Sequence, residues 1–295
     1  MVLVDIVMPF YGSDDLLREA VWSVMEQSNP NWRLVVLDDA NPDPVPGRWV
    51  QTLDDPRVTY RRNDVNGGVA AAFRQAVTLA ENDLLVIMGC DDRLMPDFVA
   101  SAIDAMTAHP EASYLQPGVD VIDEHGRPSR PAADRIKSVL RPKGSKKLFK
   151  GQPLARSLLV GNWTYFPSIV WRTSTIRRHS FDARYDVVLD LQLQLEIIAA
   201  GGSLLVDDRA TFQYRRHSQS VSSVTARDGV RFGEERALFM EWAERFASMG
   251  WSTAGRAARW HITSRLNALS LVPGTRGDAA LRRELLHHAV GKLVT

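Results

Sequence analysis

Three short runs of nearly uninterrupted Val, Ile and Leu, each ending in polar or acidic residues, set the first constraint on this chain. They are Val2–Met8, broken by Asp5; LVVLDD at Leu34–Asp39; and LLVIMGC from Leu84, which runs into Asp91 and Asp92. A strand that is apolar on both faces has to be covered on both faces. Alternation of such strands with helices is the pattern of a parallel sheet in a doubly wound layer. The intervening stretches read as helices. One starts at Ser13, with Asp14 and Asp15 at its positive end and Leu16, Leu17, Ala20, Val21, Val24 and Met25 on one face. Others lie near Arg48–Leu53, at Val69–Ala80 and at Pro96–His109. VTYRR at Val58–Arg62 reads as a further strand, and short strands are predicted near Ser113–Gln116 and Val119–Asp123. The predicted class is α/β, a Rossmann-like, mostly parallel sheet flanked by helices.

The pattern then changes. Arg135–Lys150 carries seven basic side chains and no acid, which reads either as a solvated mobile loop or as a lid over an anionic ligand. A second βα-like stretch spans Ser168–Asp208, with a helix at Val188–Ala200 closed by Gly201-Gly202. Beyond Asp228 the sequence reads helical, at Glu234–Met249, Ala254–Leu271 and Gly277–Leu293. The expected organisation is one α/β unit over residues 1–225 and a C-terminal helical region over 226–295.

Composition removes several function classes. The 36 basic residues nearly balance the 35 acidic ones, so bulk charge predicts no nucleic-acid partner. Cys90 is the only cysteine, which excludes an internal disulfide and a cysteine zinc site and fits a reducing compartment. No signal peptide is visible and no apolar run approaches the ~20 residues that span a bilayer. The expectation is a cytoplasmic protein, at most peripheral to the inner face of a membrane.

In open parallel sheets ligands bind beyond the carboxyl ends of the strands. Three such ends carry polar groups: Pro9-Phe10-Tyr11-Gly12, Asp38-Asp39 and Asp91-Asp92. If these strands are neighbours, an aromatic ring and up to four carboxylates converge. Carboxylates that close repel unless a cation joins them, and hard oxygen donors suit Mg²⁺ or Mn²⁺. The alternative for any one of these Asp residues is a turn or a helix N-cap. No P-loop, no GxGxxG after the first strand and no GxSxG elbow is present, which argues against those phosphate-binding, dinucleotide-binding and serine hydrolase chemistries. Asn66-Gly67-Gly68 reads as a turn.

DIVMPFYGSDDLLREAVWSVMEQSNPNWRLVVLDDANPD, followed by NGGVAAAFRQAVTLAENDLLVIMGCDDRLMPDF, resembles the N-terminal half of family 2 glycosyltransferases, nucleotide-sugar enzymes with the GT-A fold. A weaker likeness returns from Gly161 to Ser223. The resemblance implies that Pro9 and Tyr11 shape the nucleoside pocket, that Asp38 accepts a hydrogen bond from a uracil or thymine base, and that Asp39 lies beside the ribose. The family's metal-binding Asp-x-Asp-Asp reads Gly89-Cys90-Asp91-Asp92 here, so the first acid is missing and the metal rests on Asp91, with Asp92 in support. Counting back from Gly201, the resemblance puts the catalytic base at Asp190, with Leu189 where an acid is usual; Asp186 and Asp182 are the alternatives. His217 falls where relatives carry a histidine near the diphosphate, as metal ligand or phosphate donor, or else is a surface residue. Arg215 and Arg216 would help neutralise the diphosphate. Trp163 is a candidate to stack on an acceptor sugar, against the alternative of ordinary core.

The implied reaction is inverting transfer of a sugar from a UDP- or dTDP-type donor to a glycan, lipid-linked or small-molecule acceptor hydroxyl, with Mn²⁺ or Mg²⁺. Two rivals stand beside it: a sugar nucleotidyltransferase, and a degenerate GT-A protein that binds nucleotide or glycan without turnover. The C-terminal helices, with Trp, Arg and leucines in ARWHITSRLNALSLV, are open to three readings: packing on the catalytic unit, a homo-oligomer face, or contact with an anionic membrane.

Overall fold

The computed structural model describes residues 2–217, 230–275 and 278–291. Its centre is one sheet of nine strands. Strands β1 (Val4–Phe10), β2 (Trp32–Asp38), β3 (Val58–Arg62) and β4 (Leu84–Ile87) lie in the order β3-β2-β1-β4, all parallel. The sheet continues through Val170–Arg172, Tyr114–Ile122 and Ser203–Arg215 to the two-residue edge strand Arg93–Leu94, and antiparallel pairings enter in this half. The three strands whose ends carry the polar residues are therefore adjacent. Phe10 pairs with Asp38 and Val7 with Ile87, so their carboxyl ends are level.

Strand alternation builds two cores. Val7, Val35, Leu37, Leu85 and Ile87 face one side of the sheet; Ile6, Met8, Leu34, Val36, Leu84 and Val86 face the other. On the second side the helix Asp14–Met25 buries Leu17, Ala20, Val21 and Val24, the periodicity expected from the sequence. Ser13 stands at its N-cap position but makes no side-chain capping bond there.

Three local expectations differ. The two short strands predicted after residue 113 are one strand, Tyr114–Ile122, with register shifts around Gly118. At Gly118 a Cβ would lie 2.6 Å from the Asp208 carbonyl oxygen, so the bulge needs the missing side chain. The basic stretch Arg135–Lys150 is not a loop: it holds most of a helix, Ala132–Leu140, then a turn, then the strand Lys147–Lys150 paired to Leu204 and its neighbours. The single helix expected over Ala254–Leu271 is two, Ser252–Trp260 and Ile262–Leu271, broken at His261 with φ 29°.

Among the described residues no helix is long and apolar enough to cross a membrane. The helix Val230–Ser248 sends Leu238, Phe239, Trp242, Ala243 and Phe246 into the first of the two cores, and Arg245 pairs with Glu196. The C-terminal helices thus pack on the α/β unit. The expected division at 225/226 lies outside the described residues.

Candidate active site

Beyond β1 the chain turns through Tyr11, whose ring is 56% exposed at the level of the strand ends. Asn41 ties this turn to the next strand end, accepting from the Gly12 N–H at 3.1 Å. Pro9 is half-buried within β1.

Asp38 is fully buried at the end of β2 and is held from three sides. Its Oδ1 accepts the Asn41 N–H at 2.7 Å, and its Oδ2 accepts from the Tyr60 hydroxyl and from Arg62 Nη1 at 2.6 Å. A carboxylate offers about four acceptor sites, so this one keeps an acceptor position, which a ligand reaches only once the side chain is uncovered. Asp39 has none to spare. Its two oxygens take the Asn63 amide and the backbone N–H groups of Gly67 and Gly68, at 2.9 to 3.1 Å. Asp39 thereby anchors the start of the helix Gly68–Leu79.

Beyond β4, Asp91 and Asp92 point to different partners. Asp91 is partly exposed, and its Oδ2 lies 2.7 Å from His217 Nε2. Asp92 is buried, with Oδ1 accepting the Arg215 N–H at 2.8 Å; burial first, and the neighbouring Asp91 charge second, push its carboxyl above the ordinary range. Neither caps a helix, because the next one begins only at Phe98. A Cβ on Gly89 would sit 2.7 Å from Asp91 Oδ1 and 2.8 Å from Asp92 Oδ2. The two carboxylates fill the space a first acid would need. Burial pushes the Cys90 thiol up to about 12, leaving it protonated and inert.

Arg215 does not face a ligand. It is 2% exposed, its Nε donates to the Asp91 carbonyl at 2.7 Å, and its guanidinium pairs with Glu19. Its expected part in neutralising a diphosphate is corrected: it fixes the loop that carries Asp91. Arg216 is partly exposed but forms a two-bond pair with Asp134, at 2.8 and 3.1 Å. Trp163 is corrected as well. It is fully buried and donates its indole N–H to Ser157 Oγ at 3.0 Å, so it stacks on no acceptor. Trp163→Ala is expected to cost about 3–5 kcal/mol of stability in denaturant unfolding.

Asp190 lies in the first turn of the helix Leu189–Ala199. Its Oδ2 accepts the Asn162 amide at 2.9 Å, and burial, the largest influence, raises its pKa above that of an ordinary aspartate. Asn162 is itself oriented: the Thr164 hydroxyl donates to its Oδ1 at 2.6 Å, and Gln194 donates to Thr164 Oγ1 at 3.1 Å. Lys137, from the basic stretch, donates to the Thr164 carbonyl at 2.7 Å over the Tyr165 ring, and burial lowers its pKa to about 8. Tyr165 in turn donates to Asp134, the partner of Arg216. An almost unbroken run of contacts thus joins the Asp91–His217 pair to Asp190. Of the two alternatives, Asp182 pairs with Arg184, and Asp186 donates its backbone N–H to Glu234.

The helix bearing Asp190 has no side-chain cap of its own. Glu234, from the C-terminal helix, instead ties down the turn that leads into it, accepting the N–H groups of Asp186, Val187 and Val188, the shortest at 2.8 Å. Glu234→Ala removes these hydrogen bonds and is expected to cost about 0.5–1.5 kcal/mol, read as a lowered unfolding midpoint. Sequence reasoning missed Asn162, Lys137, Asp134 and Glu234. Only Asn162 left a trace, as the polar neighbour of the tryptophan in GNWTYFP.

Among the described residues no three His, Cys, Asp or Glu side chains group closely enough to hold a metal. The Asp91 carboxylate and the His217 imidazole are the pair that could hold a hard cation in common with phosphate oxygens.

The mostly parallel nine-strand sheet, flanked by helices and followed by C-terminal helices, is that of a GT-A protein. The structure of S. aureus TarS residues 1–349 in complex with UDP-GlcNAc superposes with a TM-score of 0.64 at 14% identity, over 98% of this chain and 89% of that one. The family model for glycosyl transferase family 2 matches residues 5–173, more than half of the chain, which belongs to that family. Among curated relatives, the putative colanic acid biosynthesis glycosyl transferase WcaA of Escherichia coli K12 is 33% identical over 96 residues, 32% of this chain and 34% of WcaA. The uncharacterized protein y4gI of Sinorhizobium fredii is 34% identical over 127 residues, 42% of this chain but 14% of y4gI. The chain spans no more than about a third of the length of these two relatives.

Proposed function

We propose that this chain is an inverting glycosyltransferase that takes a sugar from a nucleoside-diphosphate donor of the UDP or dTDP type. The carrying observation is the placement of Tyr11, Asp38 and the Asp91–His217 pair on three adjacent, level strand ends, joined through the contacts above to Asp190. The base would rest against Tyr11 and Pro9 and donate an N–H to the remaining acceptor position of Asp38. TarS, bound to UDP-GlcNAc, supports a donor of this kind. WcaA supports an acceptor from polysaccharide assembly.

Asp91 and His217 fit a shared divalent cation: two protein donors, one hard oxygen and one imidazole, with the remaining positions left for phosphate oxygens. Mn²⁺ or Mg²⁺ there would act as a Lewis acid toward the leaving diphosphate. In the transfer itself Asp190 takes the proton of the acceptor hydroxyl, and the oxygen so freed attacks the anomeric carbon from the face opposite the diphosphate. The carbon–oxygen bond to the β-phosphate breaks, and its electron pair leaves on the phosphate oxygen. Asn162 holds the Asp190 carboxylate through the transfer, and the Lys137 charge nearby favours its ionised form.

A thermal-shift screen of nucleotide-sugars with and without Mn²⁺ tests this reading. One uridine or thymidine donor is expected to raise the melting temperature in a metal-dependent way, about 2.7 kcal/mol of stabilisation at a hundredfold excess over its Kd. The same donor should release its sugar to an acceptor. No shift with any donor overturns the reading; a shift without transfer over a broad acceptor panel favours the non-catalytic alternative.

A further inference from the structure

Among the described residues, seven of the thirteen exposed large apolar side chains lie beyond residue 248. The helix Ile262–Leu271 buries Ala268 against the helix Ala279–Val290 and turns Ile262, Leu266 and Leu269 outward, spacings of four and three residues that define one stripe. Leu266 is 58% exposed and Trp260, next to the stripe, 51%. On the neighbouring helix Leu286 and Val290 are exposed, Val290 at 70%, and line an open groove of about 440 Å³ with Arg282 and Arg283. The two helices are locked together: Arg265 donates to the carbonyls of Ala289 and Gly291, and Ser264 bonds His288. Arg282 and Arg283 are exposed on the second of these helices and Arg256 on the preceding helix Ser252–Trp260, whereas Glu284 is already paired with Arg236 and Asp278 caps its own helix.

We propose that this face docks on an anionic lipid bilayer, lying in the plane of the headgroups without crossing it. A tryptophan, an aliphatic stripe and arginines with no ion-pair partner among the described residues, all on short helices, are the chemistry of interfacial binding. Exposed leucines in such a cluster need a cover, and the arginines select its charge. A second copy of this chain is the poorer occupant, because a twofold contact would set these arginines against their own counterparts. The proposal does not depend on the donor or on Asp190, and it brings a lipid-borne acceptor within the enzyme's reach.

Sedimentation of the full chain with vesicles tests it, using phosphatidylcholine alone and phosphatidylcholine mixed with phosphatidylglycerol. Binding is expected only to the anionic vesicles, and is expected to weaken as salt is raised. Ile262→Ser/Leu266→Ser/Leu269→Ser and, separately, Arg282→Glu/Arg283→Glu should each weaken partitioning by more than about tenfold. The two variants change different chemistry on exposed positions, so a folding defect in one, seen in its melt, leaves the other decisive. Equal binding to neutral vesicles, or unchanged binding of a folded variant, overturns the proposal. So does a dimer of the parent chain that the serine variant dissolves, because the face then covers a second copy.

Discussion

Asp190→Asn is expected to lower kcat by about 100- to 10,000-fold, the range for loss of a positioned general base, while leaving donor affinity nearly unchanged. Asparagine keeps the shape of the side chain and can still accept the Asn162 amide, so the first turn of its helix should stay as it is. What disappears is the capacity to take a proton. The pH profile separates this from a general disturbance. Burial raises the Asp190 pKa, and the group works only once ionised, so kcat/KM in the parent enzyme should climb with pH through a midpoint above that of an ordinary aspartate. The asparagine variant should lack that limb. Near-normal transfer by Asp190→Asn, with nucleotide still bound, would remove Asp190 from the mechanism.

That prediction also shows how far the sequence could be read. The apolar runs at Val4–Phe10, Trp32–Asp38 and Leu84–Ile87 were legible because continuous burial on both faces leaves a pattern in the chain itself. Their adjacency follows from the α/β pattern, and with it the meeting of Tyr11, Asp38 and Asp91. The antiparallel half was less legible: strands of two and three residues, such as Arg93–Leu94 and Val170–Arg172, are too short to show a period. The supports of Asp190 were not legible as supports. Asn162, Lys137 and Glu234 come from separate elements and act at single atoms, so no spacing announces them. Trp163, Arg215 and Arg216 were open to misreading for a related reason. A residue type fixes what a side chain can do, whereas burial and pairing decide what it does, and all three are already engaged.

The second large effect is expected at Asp91. With a glycine at position 89, where a side chain would press on the Asp91 and Asp92 carboxylates, and with Asp92 bound to the Arg215 N–H, Asp91 is the carboxylate left to face a diphosphate-bound cation. Asp91→Asn keeps an oxygen in place but removes the charge. The Mn²⁺-dependent part of the donor-induced thermal shift should vanish, and kcat/KM should fall by about 100- to 1,000-fold, the scale of losing one electrostatic contact to developing charge. His217→Ala should reduce the same metal-dependent shift, since its Nε2 faces Asp91 at 2.7 Å. Glu19→Gln provides the contrast. It removes the charge that Arg215 pairs with, and so loosens the Asp91 loop without touching the ligand. It should lower affinity for the donor while the requirement for metal persists. If Asp91→Asn retains a full Mn²⁺-dependent shift, the cation is held elsewhere, and the strand-end carboxylates serve the fold and not the donor.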